Sequence, residues 1–457
     1  MQNFSFREHL YIIRNRVRYG VHLVRDLKEA RFNESLSYDE MKALNFQKRK
    51  EIVEYAYNNT AFYRNYYDKM GFNPSMLQTD SDWNKVPIIV KEDIRNNFDG
   101  ILVKKAWPQD CIVTSTGGST GAPLRIVKDK RAPYDAILAR SLNWYGVSFA
   151  DNRAYVGRGV ASDNKMKQLL KCLYYWPTKV IGLNSGSISD SQLADFVNKI
   201  RVHEMVILSG YVATVLQVAR YVVTHNVTVN CVKLVWVTSA PISEGDREII
   251  KRAFKCEIMD QYGSGEVTCL AIESPEHIGL YVPSDYRHID IVDDENKPVG
   301  LDIYGNIVAT DLQNKSFPII RYKNADRSKL LSKRGGLPYP LIAPVQGRVS
   351  DYILTPSGIT VDGIYLTTLF DDYPDAVIGF QLIQHKDYSI TVRIVPSNHN
   401  RSLVDKAKSS AVDSLRKLTQ DSVGIQVDEV DSLLSDRGKT RYIINEVTDN
   451  VLRENLG

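Results

Sequence analysis

The sequence predicts an α/β protein: a large N-terminal domain with mixed and parallel sheets and flanking helices, then a small C-terminal α+β domain. Three observations predict it. First, apolar runs at Val206–Leu208, Val232–Val237 and Glu257–Asp260 alternate with helical patterns at Tyr211–Val223 and Ser243–Phe254. Such alternation implies parallel strands joined by right-handed crossovers. Second, the first hundred residues read as mainly helical, with Leu10, Ile13, Val17, Val21 and Val24 recurring every three or four positions. Third, the texture changes after Gly347. Strand patterns at Ala376–Gln384, Tyr388–Val395 and Gly424–Val430 then surround a helical stretch at Arg401–Leu418. The domains are accordingly drawn as an N-terminal helical extension over 1–45, a large domain over 46–347 and a small domain over 348–457.

Within the extension, Arg14, Arg18 and Arg25 fall opposite the apolar stripe. An amphipathic helix of this kind either packs on its own domain or meets an anionic membrane surface or an acidic partner. In the large domain, Ser243 heads its helix with Asp246 three residues on, a capping pattern. Ligands of parallel sheets bind beyond the carboxyl ends of the strands. Two loops lie at that edge: Thr238-Ser239-Ala240-Pro241 and Gln261-Tyr262-Gly263-Ser264-Gly265-Glu266.

Charge narrows the class. The chain of 457 residues holds 58 Lys+Arg against 54 Asp+Glu, too balanced for a nucleic-acid binder by composition. The excess sits in residues 1–31, which carry seven arginines and lysines and three acids. Cysteines 111, 172, 231, 256 and 269 show no CxxC spacing, so free thiols in a reducing compartment are expected. There is no N-terminal apolar h-region, and the longest uncharged stretch, 205–219, falls short of the ~20 residues of a membrane span. A cytoplasmic protein is expected, with residues 1–31 either packed on their own domain or forming a peripheral contact with a partner or the inner membrane face.

The strongest local signal is Thr114-Ser115-Thr116-Gly117-Gly118-Ser119-Thr120-Gly121-Ala122-Pro123. Its glycines let backbone N–H groups approach an anion, and its hydroxyls donate to phosphate oxygens. Apolar flanks on both sides place it between two strands. It lacks the GK[ST] ending of a Walker A loop.

This loop resembles the phosphate loop of the adenylate-forming enzymes: acyl-CoA synthetases, luciferases and peptide-synthetase adenylation domains. Other signatures follow in order. Tyr262-Gly263-Ser264-Gly265-Glu266 resembles the YGxxE element, and Arg321-Tyr322-Lys323-Asn324-Ala325-Asp326 the RYxTxD element. Gly347-Arg348-Val349-Ser350-Asp351 resembles the GRxDD hinge, and Gly438-Lys439-Thr440-Arg441 the GKxxR element. Tyr55-Ala56-Tyr57, Phe62-Tyr63-Arg64 and Val86-Pro87 through Arg95 resemble the phenylacetate-CoA ligase branch. That branch includes CapK-like proteins of capsule and surface-polysaccharide synthesis and coenzyme F390 synthetases.

The resemblance implies a ligase that uses Mg-ATP to convert a carboxylic acid to an acyl-adenylate, releasing pyrophosphate. A thiol, usually coenzyme A, or an amine such as an amino sugar then takes the acyl group. It implies that Thr114 to Gly121 hold the phosphates. It implies that Ser239-Ala240-Pro241 and Gln261 to Ser264, with Tyr262 against the ring, form the adenine pocket. Asp326 takes the ribose hydroxyls, Glu266 binds Mg²⁺ and Arg348 meets a phosphate at the hinge. Lys439, on a small domain that acts as a mobile lid, bridges the α-phosphate and the attacking carboxylate. A homodimer is compatible with the family. The acyl pocket is expected near Trp144, Tyr145 and the helix at Tyr211, with Arg158 as a candidate for a second acidic group.

The chain departs from the pattern in three places. Ala122 stands where the family carries Lys, leaving Arg125 or Lys128 to supply charge. Ser350 stands at the hinge aspartate. The stretch Glu273 to Tyr281 offers one His, His277, where relatives have a Cys/His cluster, so no structural zinc is expected. Two other readings compete: AMP transfer to a hydroxyl, as in F390 synthetases, and a degenerate nucleotide-binding protein without turnover.

Overall fold

The computed structural model describes residues 5–447 except 20–22, 104–110, 117–123, 158–172, 185–189, 347–351, 358–359, 363–365, 367–368, 371–372, 374–375, 398–400, 434, 437–438 and 441–442. The chain divides into two compact units. One comprises residues 1–151, 176–178 and 259–345; the other comprises 152–175, 179–258 and 346–457.

The first unit opens with helices α1 (Phe6–Tyr19), α2 (Leu23–Glu34), α3 (Tyr38–Asn59), α4 (Ala61–Lys69), α5 (Lys91–Asn96) and α6 (Phe98–Ile101). The apolar stripe expected to run through residues 10–24 is therefore divided between two helices. Ser37 caps α3, its hydroxyl accepting from the Glu40 amide while Glu40 reaches back to the Ser37 amide. An antiparallel hairpin, β1 (Cys111–Thr116) and β2 (Leu124–Asp129), carries the hydroxyl-rich sequence between its strands, and α7 (Tyr134–Trp144) follows.

The second unit contributes four parallel strands: β3 (Arg153–Gly157), β4 (Val180–Asn184), β5 (Ile207–Tyr211) and β6 (Leu234–Thr238). Helices α8 (Asp190–Val202), α9 (Val212–Thr224) and α10 (Glu244–Phe254) accompany them. Val215, Val218, Ala219 and Val222 of α9 recur at helical spacing and are buried with Ile249 and Ile250 of α10. Ser243 caps α10 with the reciprocal bond to Asp246 that its sequence predicts.

The chain returns to the first unit along β7 (Glu257–Tyr262), which runs two residues further than the sequence suggests, so Gln261 and Tyr262 end a strand. It pairs antiparallel with β8 (Ala271–Glu273), which pairs with β9 (Leu280–Tyr281). A three-stranded antiparallel sheet follows: β10 (Arg287–Val292), β11 (Gly305–Asp311) and β12 (Tyr322–Ser328). Strand β13 (Leu341–Ile342) pairs with β9. One apolar cluster joins these strands to α3 and α4 through Ile52, Tyr63, Tyr67, Ile289, Ile307 and Phe317.

The remainder of the second unit begins with the small hairpin β14 (Tyr352–Leu354) and β15 (Thr360–Asp362). The antiparallel pair β16 (Val377–Gln384) and β17 (Ile390–Pro396) has parallel strands on both sides, β18 (Ile425–Glu429) beside β17 and β21 (Ile443–Asn445) beside β16. Helix α11 (Arg401–Thr419) buries Val404, Ala407, Ala411 and Leu415 against Leu382, Val392 and Ile394. Between β18 and β21, the two-residue strands β19 (Ser435–Asp436) and β20 (Lys439–Thr440) pair antiparallel. These elements match the α+β segment expected after Gly347.

Candidate active site

Two of the signature segments meet within the first unit. The end of β7 and its following loop meet β12 through side chains, each segment supplying one tyrosine and one acid. Tyr262 Oη donates to Asp326 Oδ2 at 2.7 Å. Four residues along in each segment, Tyr322 Oη donates to Glu266 Oε1 at 3.3 Å.

Local geometry explains how each acid is presented. In the β11–β12 ladder, Val308 pairs with Lys323 but Asn306 pairs with Arg327. One residue of β11 thus faces three of β12, and this bulge takes residues 324–326 out of regular pairing. Bulges re-aim side chains in this way beside active sites. Asn324 closes the arrangement: its Nδ2 donates to Tyr262 Oη at 2.7 Å and to Asp326 Oδ2 at 3.0 Å, and its Oδ1 accepts from the Asp326 amide at 3.1 Å. Sequence reasoning did not single out Asn324 or Tyr322; no spacing rule reveals a bulge register.

On the other segment, a Cβ at Gly263 would come within 2.9 Å of the Cys269 backbone nitrogen, so only glycine fits. Ser264 then closes a turn. Its amide donates to the Val267 carbonyl at 2.9 Å and its Oγ accepts from the Val267 amide at 3.1 Å. The turn leaves Gly265 exposed and Glu266 only 7% exposed. Gln261 is buried in β7 opposite Ile272.

Lys128, on β2, supplies a cation to this region. Burial, with Arg287 nearby, holds its ammonium below the ordinary lysine range, partly offset by Asp311 and Glu266. Arg125, the other candidate, instead lies over the Phe98 ring at 4.4 Å. The hairpin is fixed at its base. Asp129 accepts two bonds from the Arg131 guanidinium, at 2.9 and 2.7 Å, and one from Ser316 Oγ at 2.6 Å. Asn314 Nδ2 donates to the Val127 carbonyl at 2.8 Å. Both Ser316 and Asn314 lie in the β11–β12 connection, so the strand leading out of the hydroxyl-rich sequence is tied to the sheet that carries Asp326.

The Arg321 that opens the RYKNAD segment serves the scaffold. It is 1% exposed, and its guanidinium donates to the carbonyls of Trp83, Asn84 and Val86 at 2.8 to 3.2 Å. Its carbonyl accepts from the Ile89 amide at 3.0 Å. Two segments that resemble family signatures, 86–95 and 321–326, are thus joined directly.

The other expected residues belong to other segments of the chain. Thr114 lies on β1, and its Oγ1 reaches the Ile126 carbonyl at 3.5 Å. Ser115 and Thr116 end β1, whereas Gly117, Gly118, Ser119, Thr120, Gly121, Ala122, Arg158, Arg348 and Ser350 lie outside the described residues. In the second unit, Ser239, Ala240 and Pro241 follow the carboxyl end of β6, with Ser239 at a left-handed φ of 82°. The Lys439 backbone pairs with Asp436 in β20. Trp144 packs at a 6.2 Å centroid distance from Tyr281 and donates to Glu34 at 3.0 Å, while Tyr145 donates to the Glu273 carbonyl at 3.0 Å. In the stretch where relatives carry Cys and His, His277 Nδ1 lies 2.9 Å from Glu273 Oε1. Among the described residues, Cys111, Cys231, Cys256 and Cys269 are free thiols. No described helix is long and apolar enough to cross a membrane.

A buried carboxylate at Glu266 is the oxygen donor that Mg²⁺ accepts while keeping several waters and phosphate oxygens. A carboxylate fixed by two polar partners, as at Asp326, suits a pair of sugar hydroxyls. The two acids therefore fit a magnesium nucleotide.

Residues 353–446 match the family described as the CapK C-terminal domain. The chain is 24% identical to protein CapK of Staphylococcus aureus over 394 residues, covering 83% of each chain. It is 23% identical to the phenylacetate-coenzyme A ligase of Escherichia coli strain K12 over 410 residues, covering 86% of this chain and 91% of that one. The crystal structure of 2-hydroxyisobutyryl-CoA ligase in the postadenylation state, in complex with R3-HIB-AMP, superposes with a TM-score of 0.73 at 18% identity, covering 92% of each chain. The chain shares its fold with that CoA ligase. In sequence it is similar to a CapK protein and to phenylacetate-coenzyme A ligases.

Proposed function

We propose that this enzyme activates a carboxylic acid with Mg-ATP to an acyl-adenylate, releases pyrophosphate, and passes the acyl group to coenzyme A or directly to an amine. A role in capsule or other surface-polysaccharide assembly, with an amino sugar as the amine, is the biological setting that similarity to CapK favours. The observation that carries the reading is the pairing of Tyr262 with Asp326 and of Tyr322 with Glu266 between two signature segments.

Asp326, its orientation set by Tyr262 and Asn324, accepts hydrogen bonds from the ribose hydroxyls. Tyr262 lies against the adenine, and Ser239-Ala240-Pro241 contribute backbone to the other wall. The hydroxyls and glycines of residues 114–121 hold the triphosphate. Lys128 supplies the positive charge that Ala122 does not. Glu266 would hold the magnesium, whose charge would offset that of the phosphates. Lys439, on a C-terminal lid spanning residues 348–457, offsets the repulsion between the α-phosphate and the incoming carboxylate. Arg348 holds a phosphate near the hinge.

Product analysis tests the proposal. Incubation with Mg-ATP, the acid and the acceptor should yield free AMP, pyrophosphate and an acyl thioester or amide. A product that retains AMP would instead establish nucleotidyl transfer to a hydroxyl. ATP binding with no product from any acid and acceptor would establish the degenerate form.

A further inference from the structure

The first helix is attached with its polar side inward. Glu8, Tyr11 and Asn15, spaced three and four apart, share one side of α1. Glu8 Oε1 accepts from Ser148 Oγ at 2.8 Å, the Tyr11 ring meets Phe149 at 5.2 Å, and Asn15 is 1% exposed. The opposite side carries Phe6, Leu10 and Ile13, with Phe6 80% exposed and Ile13 58% exposed. An ordinary surface helix buries its apolar stripe and wets the other; here the arrangement is reversed.

Basic residues border this apolar line on both sides. At about 100° per residue, Arg7 and Arg14 fall on one flank and Arg16 on the other. Arg7 Nη2 donates to the Pro177 carbonyl at 3.1 Å, and Arg14 Nη1 reaches the Trp176 carbonyl at 3.5 Å. These bonds bring the flank against Trp176, whose side chain is 56% exposed.

We propose that this face of α1, together with Trp176, is a peripheral docking surface for an anionic lipid bilayer. Three features select a bilayer over a protein. The apolar line is narrow, on a helix of 14 residues or about 20 Å, whereas a stable protein interface needs about 800 Å² from each partner. Its flanks are cationic in a segment whose seven basic and three acidic residues hold the chain's whole charge excess, matching anionic headgroups. An exposed tryptophan beside an apolar helix face suits the headgroup boundary. Phe6 and Ile13 enter the acyl boundary while Arg16 and its neighbours stay with the phosphates. The inference does not depend on the reaction assigned above.

Flotation with phosphatidylcholine vesicles, with and without phosphatidylglycerol, tests it using the full chain. Removing residues 1–31 is unsuitable, because Leu23, Leu27 and Ala30 of α2 are buried. The wild-type chain should float with the phosphatidylglycerol vesicles, remain behind with phosphatidylcholine alone, and dissociate as salt rises. A Phe6→Ser, Ile13→Ser double variant should lose about tenfold or more in the vesicle-bound to free ratio while keeping its thermal midpoint. Arg16→Gln should weaken binding at low salt. Absence of flotation, equal binding to both vesicle types, or full binding by the double variant would overturn the proposal. So would a wild-type dimer that the double substitution converts to monomer without any vesicle binding; the face would then be a contact between copies.

Discussion

The hydroxyl of Tyr262 donates to Asp326 across 2.7 Å, linking the end of one strand to the bulge of another 64 residues away. Asn324 touches both groups, so the carboxylate is held before any nucleotide arrives. A preset acceptor loses less freedom on binding than a mobile one. Asp326→Asn should therefore raise the Kd for ATP about 10- to 100-fold, the worth of one charge-assisted hydrogen bond. Tyr262→Phe should cost less, because Asn324 still holds the carboxylate. Calorimetric titration with ATP measures both; equal, unaltered affinities would remove Asp326 from the nucleotide site.

Glu266 is buried with one oxygen accepting from Tyr322. Replacement by Gln keeps the shape and removes the charge. Glu266→Gln should shift the Mg²⁺ dependence of pyrophosphate release to higher concentration, by about tenfold or more. Tyr322→Phe should shift it less. An unchanged Mg²⁺ titration for Glu266→Gln would show that the carboxylate binds no metal.

Lys128 and Arg125 differ in setting although they are three residues apart. Lys128 is half-buried with Glu266 among its charged neighbours, whereas Arg125 is exposed over Phe98. Lys128→Gln should raise the KM for Mg-ATP about tenfold, and Arg125→Gln should leave it within about twofold. Steady-state kinetics at varied ATP distinguishes them, and the reverse order would assign the charge to Arg125.

Asp129 fixes the base of the hairpin. Burial acts to raise its carboxyl, but the bonds from Arg131 and Ser316 outweigh it and hold the group below the ordinary carboxylate range. A pKa lower in the folded than in the unfolded state stabilises the fold above the unfolded value, and that stabilisation is lost as pH falls through the folded value. Asp129→Asn should cost about 2 kcal/mol at neutral pH. The variant should also lose less stability than wild type on acidification below the ordinary Asp range. Denaturant unfolding across pH measures this, and parallel pH curves for the two proteins would contradict it.

Much of this was legible in the sequence because periodicity and capping are local. The α9 and α10 helices, the Ser243 cap and the C-terminal strands stand within a few residues of their predicted positions. What escaped depends on distant segments. The bulge that turns Asn324 and Asp326 toward Tyr262 arises from the pairing of β11 with β12, which no window along the chain contains. Arg321 matches a signature segment but is absorbed by carbonyls of residues 83–86. The stripe of Leu10 and Ile13 has the period of a buried face, yet α1 buries Asn15 instead. Amphipathic spacing identifies a face without saying which solvent or surface it meets.

The measurement that tests the central claim most directly is pyrophosphate release from Mg-ATP across aryl, short acyl, amino and uronic acids. Each acid is run with and without coenzyme A, with Lys439→Ala as the blank. The account predicts release that depends on one class of acid and falls about 100-fold or more in Lys439→Ala, while ATP still binds. Acid-dependent release at the wild-type rate in Lys439→Ala would contradict the role given to Lys439. Bound ATP without acid-dependent release from any of the acids would contradict adenylation of those classes.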